Sequence, residues 1–277
     1  MKLLNKNLFI IAEVGVNHNG NIKIAKKIID HLCKINVSAV KFQYFKSDEL
    51  VKSNALSAPY QRKLSDYKSQ FEMLKSLELS LDQIFELKNY ALKKNLEFMC
   101  SFFNHENLRK NIKNLNLKYL KIPSGEINNL PYLEEIAKLN RKIFLSTGMS
   151  NFKEIAFAIK TLVKGGTNKK NITLLQCTTS YPVLDNEINI RSILEIQKKF
   201  KTNVGLSDHS KGCIAAILAL SLGSNVFEKH VTLNKNLKGS DHKASANITE
   251  FIQYVDNIKR AKEMLGSKKK IVTKGEK

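Results

Sequence analysis

Two short runs late in the chain, GLSDHS (Gly205–Ser210) and FEKHVT (Phe227–Thr232), are each β-rich and each carry a histidine near the end. Side chains alternate faces along a strand, so Ser207 shares a face with His209, and Glu228 with His230. If the two strands are parallel neighbours, both imidazoles project from the strand ends into one pocket, within reach of one divalent ion. A bare pair of histidines is a weak signal, because unrelated surface or core histidines are common. The weight comes from the other apolar segments, which also finish in polar residues. In chain order these are Glu13, Lys41 with Gln43, Ser101, Lys121 with Ser124 and Glu126, Ser146 with Thr147, and Thr178, Thr179 and Tyr181.

This mixture specifies a chemistry. Lys41 and Lys121 suit a phosphate or carboxylate as point charges with rotatable donors, and Ser101, Ser124 and Ser146 add neutral donors for the same anion. The two histidines, with Glu13 and Asp241, suit a divalent metal that keeps water or a carbonyl oxygen as further ligands. Charges gathered in one mouth are costly unless a ligand or metal completes them. Each residue also has a plainer reading. The lysines can be halves of buried ion pairs with Glu228 or Glu126, and the serines can cap the following helices. Cys177 reads as a small core residue, His18, His105 and His242 as loop residues, and His31 as a residue of a surface helix.

Positioning these residues requires eight strands, and the sequence supplies eight short apolar candidates: Leu8–Gly15, Ala39–Phe45, Glu97–Phe103, Tyr119–Ser124, Lys142–Thr147, Ile172–Thr178, Asn203–His209 and Val226–Thr232. Helical patterns alternate with them, over Ile22–Ile35, Leu81–Lys94, Glu106–Leu115, Pro131–Leu139, Lys153–Val163, Ile190–Phe200, Cys213–Leu222 and Ile248–Leu265. Ser80 with Gln83 forms a capping-box pattern, and Pro131 stands where a first-turn proline is tolerated. Eight such units in about 250 residues predict an α/β fold of the (β/α)8 TIM-barrel type, with the working face where the strands end. An open doubly wound sheet would carry a glycine-rich phosphate loop after its first strand, and none is present. Ser47–Leu79 interrupts the repeat and reads as a lid or oligomer contact, with a short apolar patch at Phe71–Leu77.

Composition narrows the classes. The net charge of +21 comes almost wholly from lysine, with only five arginines, spread over most of the predicted helices. That pattern is a solvated surface rather than a nucleic-acid face, which would concentrate arginine and aromatics. No run approaches a membrane span, and Glu13 interrupts the N-terminal apolar stretch before any cleavage site. Four scattered cysteines, Cys33, Cys100, Cys177 and Cys213, suit a reducing cytoplasm.

Eight colinear segments then bear a resemblance. IAEVGVNHNGNIKIAKKIID, AVKFQYFKSDELV, KIPSGEINNLPYLEEIA, IFLSTGMS, LLQCTTSYP, VGLSDHS, FEKHVT and GSDHKAS together resemble the N-acetylneuraminate (sialic acid) synthase family, including its legionaminate and pseudaminate synthases. The resemblance implies condensation of phosphoenolpyruvate with the aldehyde of an N-acetylmannosamine-type sugar, giving a nine-carbon 2-keto acid and phosphate. It places Mn2+ or Mg2+ on His209 and His230, and a general base at Glu13. Phosphoenolpyruvate then lies among Lys41, Ser101, Lys121, Ser124, Ser146, Thr179 and Ser207, and the sugar hydroxyls against Gln43, Glu126, Tyr181 and Asp241.

Two departures stand out: Ser240 replaces the proline common before Asp241, which predicts a looser loop, and Thr179 replaces an asparagine found in some bacterial members. The resemblance also implies a homodimer. It divides the chain into a barrel over residues 1–266 and a lysine-rich tail over 267–277. The family's C-terminal antifreeze-like domain, with its arginine for the N-acetyl group, is expected to be absent or to come from another chain, with weaker sugar binding as a result. A Schiff-base aldolase using Lys121 or Lys41, and a barrel that binds sugar or a partner without turnover, are the competing readings.

Overall fold

The strands are buried on both faces, and the two faces carry different chemistry. In the computed structural model, which describes residues 8–52, 67 and 69–277, Ile10, Ala12 and Val14 of β1 (Phe9–Gly15) face the surrounding helices, while Ile11 and Glu13 face inward. The same alternation runs through β2 (Ala39–Tyr44), β3 (Glu97–Phe102), β4 (Tyr119–Ile122), β5 (Lys142–Ser146), β6 (Ile172–Cys177), β7 (Asn203–Asp208) and β8 (Val226–Thr232). All pairings are parallel, in the order β3-β2-β1-β8-β7-β6-β5-β4. β3 and β4 lie side by side and bring the ring round to a barrel, as the eightfold alternation predicts. A short β9 (Ala246–Asn247) adds to β8.

The interior is built in steps of two residues. Ile11, Ala39, Met99, Tyr119, Phe144, Leu175 and Val226, with Phe9 packed on them, form an apolar plug, its Phe9, Tyr119 and Phe144 rings 4.6–5.8 Å apart. Two positions further along the same strands stand Glu13, Lys41, Ser101, Lys121, Ser146, Cys177 and Glu228, all buried. Seven of the eight strands thus pass from a hydrocarbon layer to a polar or polarisable one within a single period of the pleat, and β7 passes from Gly205 to Ser207.

The outer helices are α1 (Ile22–Leu32), α2 (Ser47–Leu50), α3 (Gln70–Leu77), α4 (Leu81–Lys93), α5 (His105–Leu115), α6 (Leu130–Lys138), α7 (Phe152–Lys164), α8 (Ser192–Phe200), α9 (Ile214–Ser221) and α10 (Ile248–Leu265). Asparagine opens five of them: Asn21, Asn104, Asn129, Asn151 and Asn247 each accept from backbone N–H groups of the first turn. Ser80 and Gln83 form the expected capping box, and Pro131 sits in the first turn of α6.

Element ends differ from the sequence reading by one to three residues, the most at the end of α1, read to Ile35 and ending at Leu32. Phe45, Thr147, Thr178 and His209 lie just beyond the last ladder pairing, where the chain turns toward a helix, and Ser124 begins a single 3-10 turn, Ser124–Glu126. The apolar patch at 71–77, read as part of a loop, is α3. Ser69 caps it, and Met73 and Leu77 pack one helical turn apart against Val16 and Phe45. Residues 53–66 and 68 of that long connection, and the first seven of the chain, lie outside the described residues. No helix among the described residues is long and apolar enough to cross a membrane. Residues 267–277 are exposed, with one 3-10 turn at Lys274–Glu276.

Candidate active site at the strand ends

β7 and β8 are neighbours in the ring, with Ser207 opposite Glu228. That adjacency brings His209 and His230 together, ring centroids 5.6 Å apart, and Tyr181 lies over both at 4.2 and 5.7 Å. His209 Nδ1 faces the carbonyl of Thr178 at 2.8 Å. A carbonyl only accepts, so Nδ1 carries the proton and Nε2 keeps its lone pair. His230 Nδ1 is buried without a hydrogen-bond partner and lies 3.8 Å from Asp241 Oδ2. Burial, against the pull of Asp241, lowers the His230 pKa to about 4 and keeps this ring neutral. Burial also disfavours charge on His209, but Cys177 and the Thr178 carbonyl outweigh it and raise that imidazole.

Below the histidines lies a charged layer. Lys41 Nζ is 2.8 Å from Glu13 Oε2 and 3.7 Å from Glu228 Oε2. Lys121 Nζ donates to Glu228 Oε1 at 2.7 Å, and Ser207 Oγ donates to the same oxygen at 3.0 Å. Burial would raise the Glu228 carboxyl, but Lys121 and Lys41 hold it well below the usual carboxylate range. Glu13 goes the other way: burial, with Glu228 adding to it, outweighs Lys41 and raises its pKa. Burial opposes charge on Lys41 as well, yet Glu13 and Glu228 raise its pKa and keep it an ammonium. The plainer reading of the lysines, ion pairs with Glu228, therefore holds, and two lysines meet two carboxylates of opposite proton affinity.

The serines are not caps, because asparagines occupy the cap positions. Ser101 Oγ accepts from Lys41 at 3.3 Å, and Ser124 Oγ accepts from the Gly148 N–H at 3.0 Å. Ser146 Oγ is buried with no partner. Gly148 allows this cluster to close. A Cβ there would lie 2.3 Å from Thr179 Oγ1, 2.8 Å from Ser124 Oγ and 3.3 Å from Cys177 Sγ. Gly15, at φ +57°, plays the same part under the rim, where Gln43, Glu13 and Asp241 converge within 3.2–3.6 Å of a notional Cβ. Gln43 Nε2 donates to Glu13 Oε1 at 2.9 Å.

Of the residues expected from sequence, Glu126 is bonded to a helix cap rather than into the charged layer. Among the described residues its hydrogen-bond partner is Asn129, a helix cap, at 2.6 Å, and burial raises its pKa. The loop after β8 is also more fastened than Ser240 in place of proline predicts. Ser240 Oγ donates to Asp241 Oδ1 at 2.7 Å, Ser245 N donates to Asp241 O at 3.1 Å, and Asn17 Nδ2 donates to Ser245 Oγ at 2.8 Å. His242, read as a loop residue, is buried there, its Nδ1 2.7 Å from Thr232 Oγ1 and its Nε2 2.9 Å from Asn19 Oδ1. Glu228 is the member missed as a site residue. Its place two residues before His230 on one strand face was the available signal.

Among the described residues no three His, Cys, Asp or Glu side chains gather as a closed metal cage. Two neutral-capable imidazoles beside one carboxylate, one nitrogen buried and unpartnered, fit instead a divalent ion that leaves positions for water and substrate oxygen.

A model of the NeuB family matches residues 28–270. The chain belongs to the NeuB family. Among NeuB-type relatives, N,N'-diacetyllegionaminic acid synthase of Campylobacter jejuni is 44% identical over 98% of this chain and 81% of its own length. The enzyme of the same name from Legionella pneumophila is 39% identical over 95% and 74%. The crystal structure of an N-acetylneuraminic acid synthetase from Leptospira borgpetersenii, in complex with citrate, superposes with a TM-score of 0.84 at 30% identity, covering 98% of this chain and 90% of that one.

Proposed function

We propose that this NeuB-family chain condenses phosphoenolpyruvate with the open-chain aldehyde of an N-acylated mannose-type sugar. The products are phosphate and a sialic-acid-like nonulosonate for surface polysaccharide. The two legionaminate-forming relatives favour a diacetamido-trideoxy sugar as the acceptor. The observation that carries the reading is the stacking of a two-lysine, four-serine layer directly beneath a histidine pair in one mouth.

Phosphoenolpyruvate lies in the deep layer. Lys41 and Lys121 turn from Glu13 and Glu228 to its phosphate and carboxylate, and Ser101, Ser124, Ser146, Thr179 and Ser207 add hydroxyls. The sugar lies above, with Gln43, Asp241, Tyr181 and Glu126 taking its hydroxyls. His209 and His230 would hold a divalent ion, Mn2+ or Mg2+, which supplies Lewis-acid polarisation of the aldehyde. C3 of the enol forms the new bond to the aldehyde carbon as the aldehyde π pair moves to its oxygen, which gains a proton to become a hydroxyl. Water adds at C2, and the C2–O bond to phosphate breaks as the C2 hydroxyl gives up its proton to the departing phosphate and becomes the ketone. Glu13 takes the proton of that water. Its raised proton affinity suits a base that must hold a proton while phosphate departs.

The Schiff-base alternative needs a neutral amine, whereas Lys41 is held charged between two carboxylates and Lys121 is 2.7 Å from Glu228. By resemblance the enzyme is cytoplasmic and homodimeric, with residues 1–266 as the catalytic barrel, 267–277 as a linker, and an antifreeze-like domain over the sugar from this or another chain. Phosphate release with phosphoenolpyruvate, Mn2+ and a panel of N-acylated mannose analogues tests the reading. Release with none of them overturns it, and the strongest substrate names the sugar.

A further inference from the structure

Each rim histidine follows a charged residue that points the other way. Asp208 precedes His209 and Lys229 precedes His230, and the two lie opposite each other in the β7–β8 register. By alternation they leave the barrel interior and enter the helix layer, where their side chains are 1% and 6% exposed. Lys229 Nζ lies 3.2 Å from Asp208 Oδ2 and 4.8 Å above the ring of Tyr254 on α10. Both groups converge on Ser210, the residue immediately after His209. Asp208 Oδ1 accepts from Ser210 N at 2.9 Å and from Ser210 Oγ at 2.6 Å, and Lys229 Nζ donates to Ser210 O at 2.8 Å. Every polar group of Ser210 is taken by this pair. On the other side the His209 carbonyl accepts from Val183 N at 3.1 Å, so the backbone is fastened at and just after the histidine.

A buried ion pair is a poor way to add stability, since an apolar pair of similar volume serves as well or better. What an ion pair with three further hydrogen bonds adds is a fixed position. We propose that Asp208 and Lys229 are positioning residues: a clamp on the reverse face of β7 and β8 that sets the spacing and aim of His209 and His230 for a divalent cation. The inference rests on reading those histidines as the metal site. Supporting groups behind metal ligands typically change affinity 10–100-fold when removed.

The test measures Mn2+ binding to the purified full chain, by calorimetry and by manganese electron paramagnetic resonance, beside thermal unfolding without metal. His209→Ala and His230→Ala lose Mn2+ binding. The double variant Asp208→Asn/Lys229→Met leaves no unpaired buried charge and unfolds cooperatively, yet binds Mn2+ about tenfold or more weakly. Ser210→Ala deletes one hydroxyl bond without burying a charge; it retains the wild-type melting temperature and binds Mn2+ severalfold more weakly, which keeps the test open should the double variant not fold. Wild-type affinity in the folded double variant, or in Ser210→Ala, overturns the clamp and leaves the metal site standing. Wild-type affinity in both histidine variants overturns the metal site and the clamp together.

Discussion

Glu228 and Lys121 meet across the barrel interior at 2.7 Å, and neither has water to fall back on, since both side chains are about 5% exposed. Removing one partner of such a pair strands the other charge, at a cost of about 3–5 kcal/mol. Glu228→Gln is expected to lower the melting temperature by several degrees and to cut turnover severely, because Lys121 and Lys41 lose the carboxylate that aims them. Circular dichroism melts and phosphate release on the same preparation check both halves.

Ser146 offers the opposite combination. Its hydroxyl is buried without a partner, which costs the folded chain about 1–3 kcal/mol. Ser146→Ala should therefore melt at the same or a higher temperature while its KM for phosphoenolpyruvate rises about tenfold. A lower melting temperature with unchanged KM would remove the hydroxyl from the anion site.

Gly148→Ala places a methyl group 2.3 Å from Thr179 Oγ1 and 2.8 Å from Ser124 Oγ. These are side-chain atoms that can swing aside, so the barrel folds, but they leave the positions proposed for them at the anion. We expect KM for phosphoenolpyruvate to rise more than kcat falls, measured by steady-state kinetics.

Chelation provides a test of the rim. Treatment with EDTA should abolish phosphate release, and Mn2+ should restore it in the wild type but not in His209→Ala or His230→Ala, with a loss of at least about a thousandfold in each variant, roughly 4 kcal/mol of barrel chemistry. Full activity in metal-stripped protein would end the metal assignment.

Stability should also depend on acid. His18 and His242 are buried, and burial lowers both pKa values to about 4. In the unfolded chain the same groups titrate near 6.5. Their contribution is thus complete above pH 6.5 and is lost progressively as pH falls toward 4, where the unfolded chain binds protons that the folded one refuses. Melting temperatures recorded between pH 7 and 4 should fall, and the fall should be shallower in His242→Gln, whose amide carries no titrating group.

The barrel was legible because each strand is short, apolar and followed by a helix, and because the polar residues recur at the same offset from the plug. Glu13, Lys41, Ser101, Lys121, Ser146 and Ser207 could be read from that offset, and the two histidines from the next step of the pleat on the same faces. Glu228 stands at that offset too, two residues beyond Val226 and on one face with His230, so the signal for it was present; what the sequence leaves open is which lysine it meets. Its partners, Lys121 and Lys41, are more than 100 residues away. The Asp208–Lys229 pair was hidden for the same reason, since only register sets those two residues opposite each other. His242 lies in a loop as read, but loop composition says nothing of its burial or of Asn19, more than 200 residues earlier, to which its ring is fastened.

The hydrocarbon plug has a kinetic corollary. Phe9, Tyr119 and Phe144 pack across the base of the cylinder, so among the described residues a ligand reaching the lysines from the strand ends passes the imidazoles and Tyr181. On the proposed layering, the anion loads before the sugar above it, and a sugar arriving early obstructs its own co-substrate.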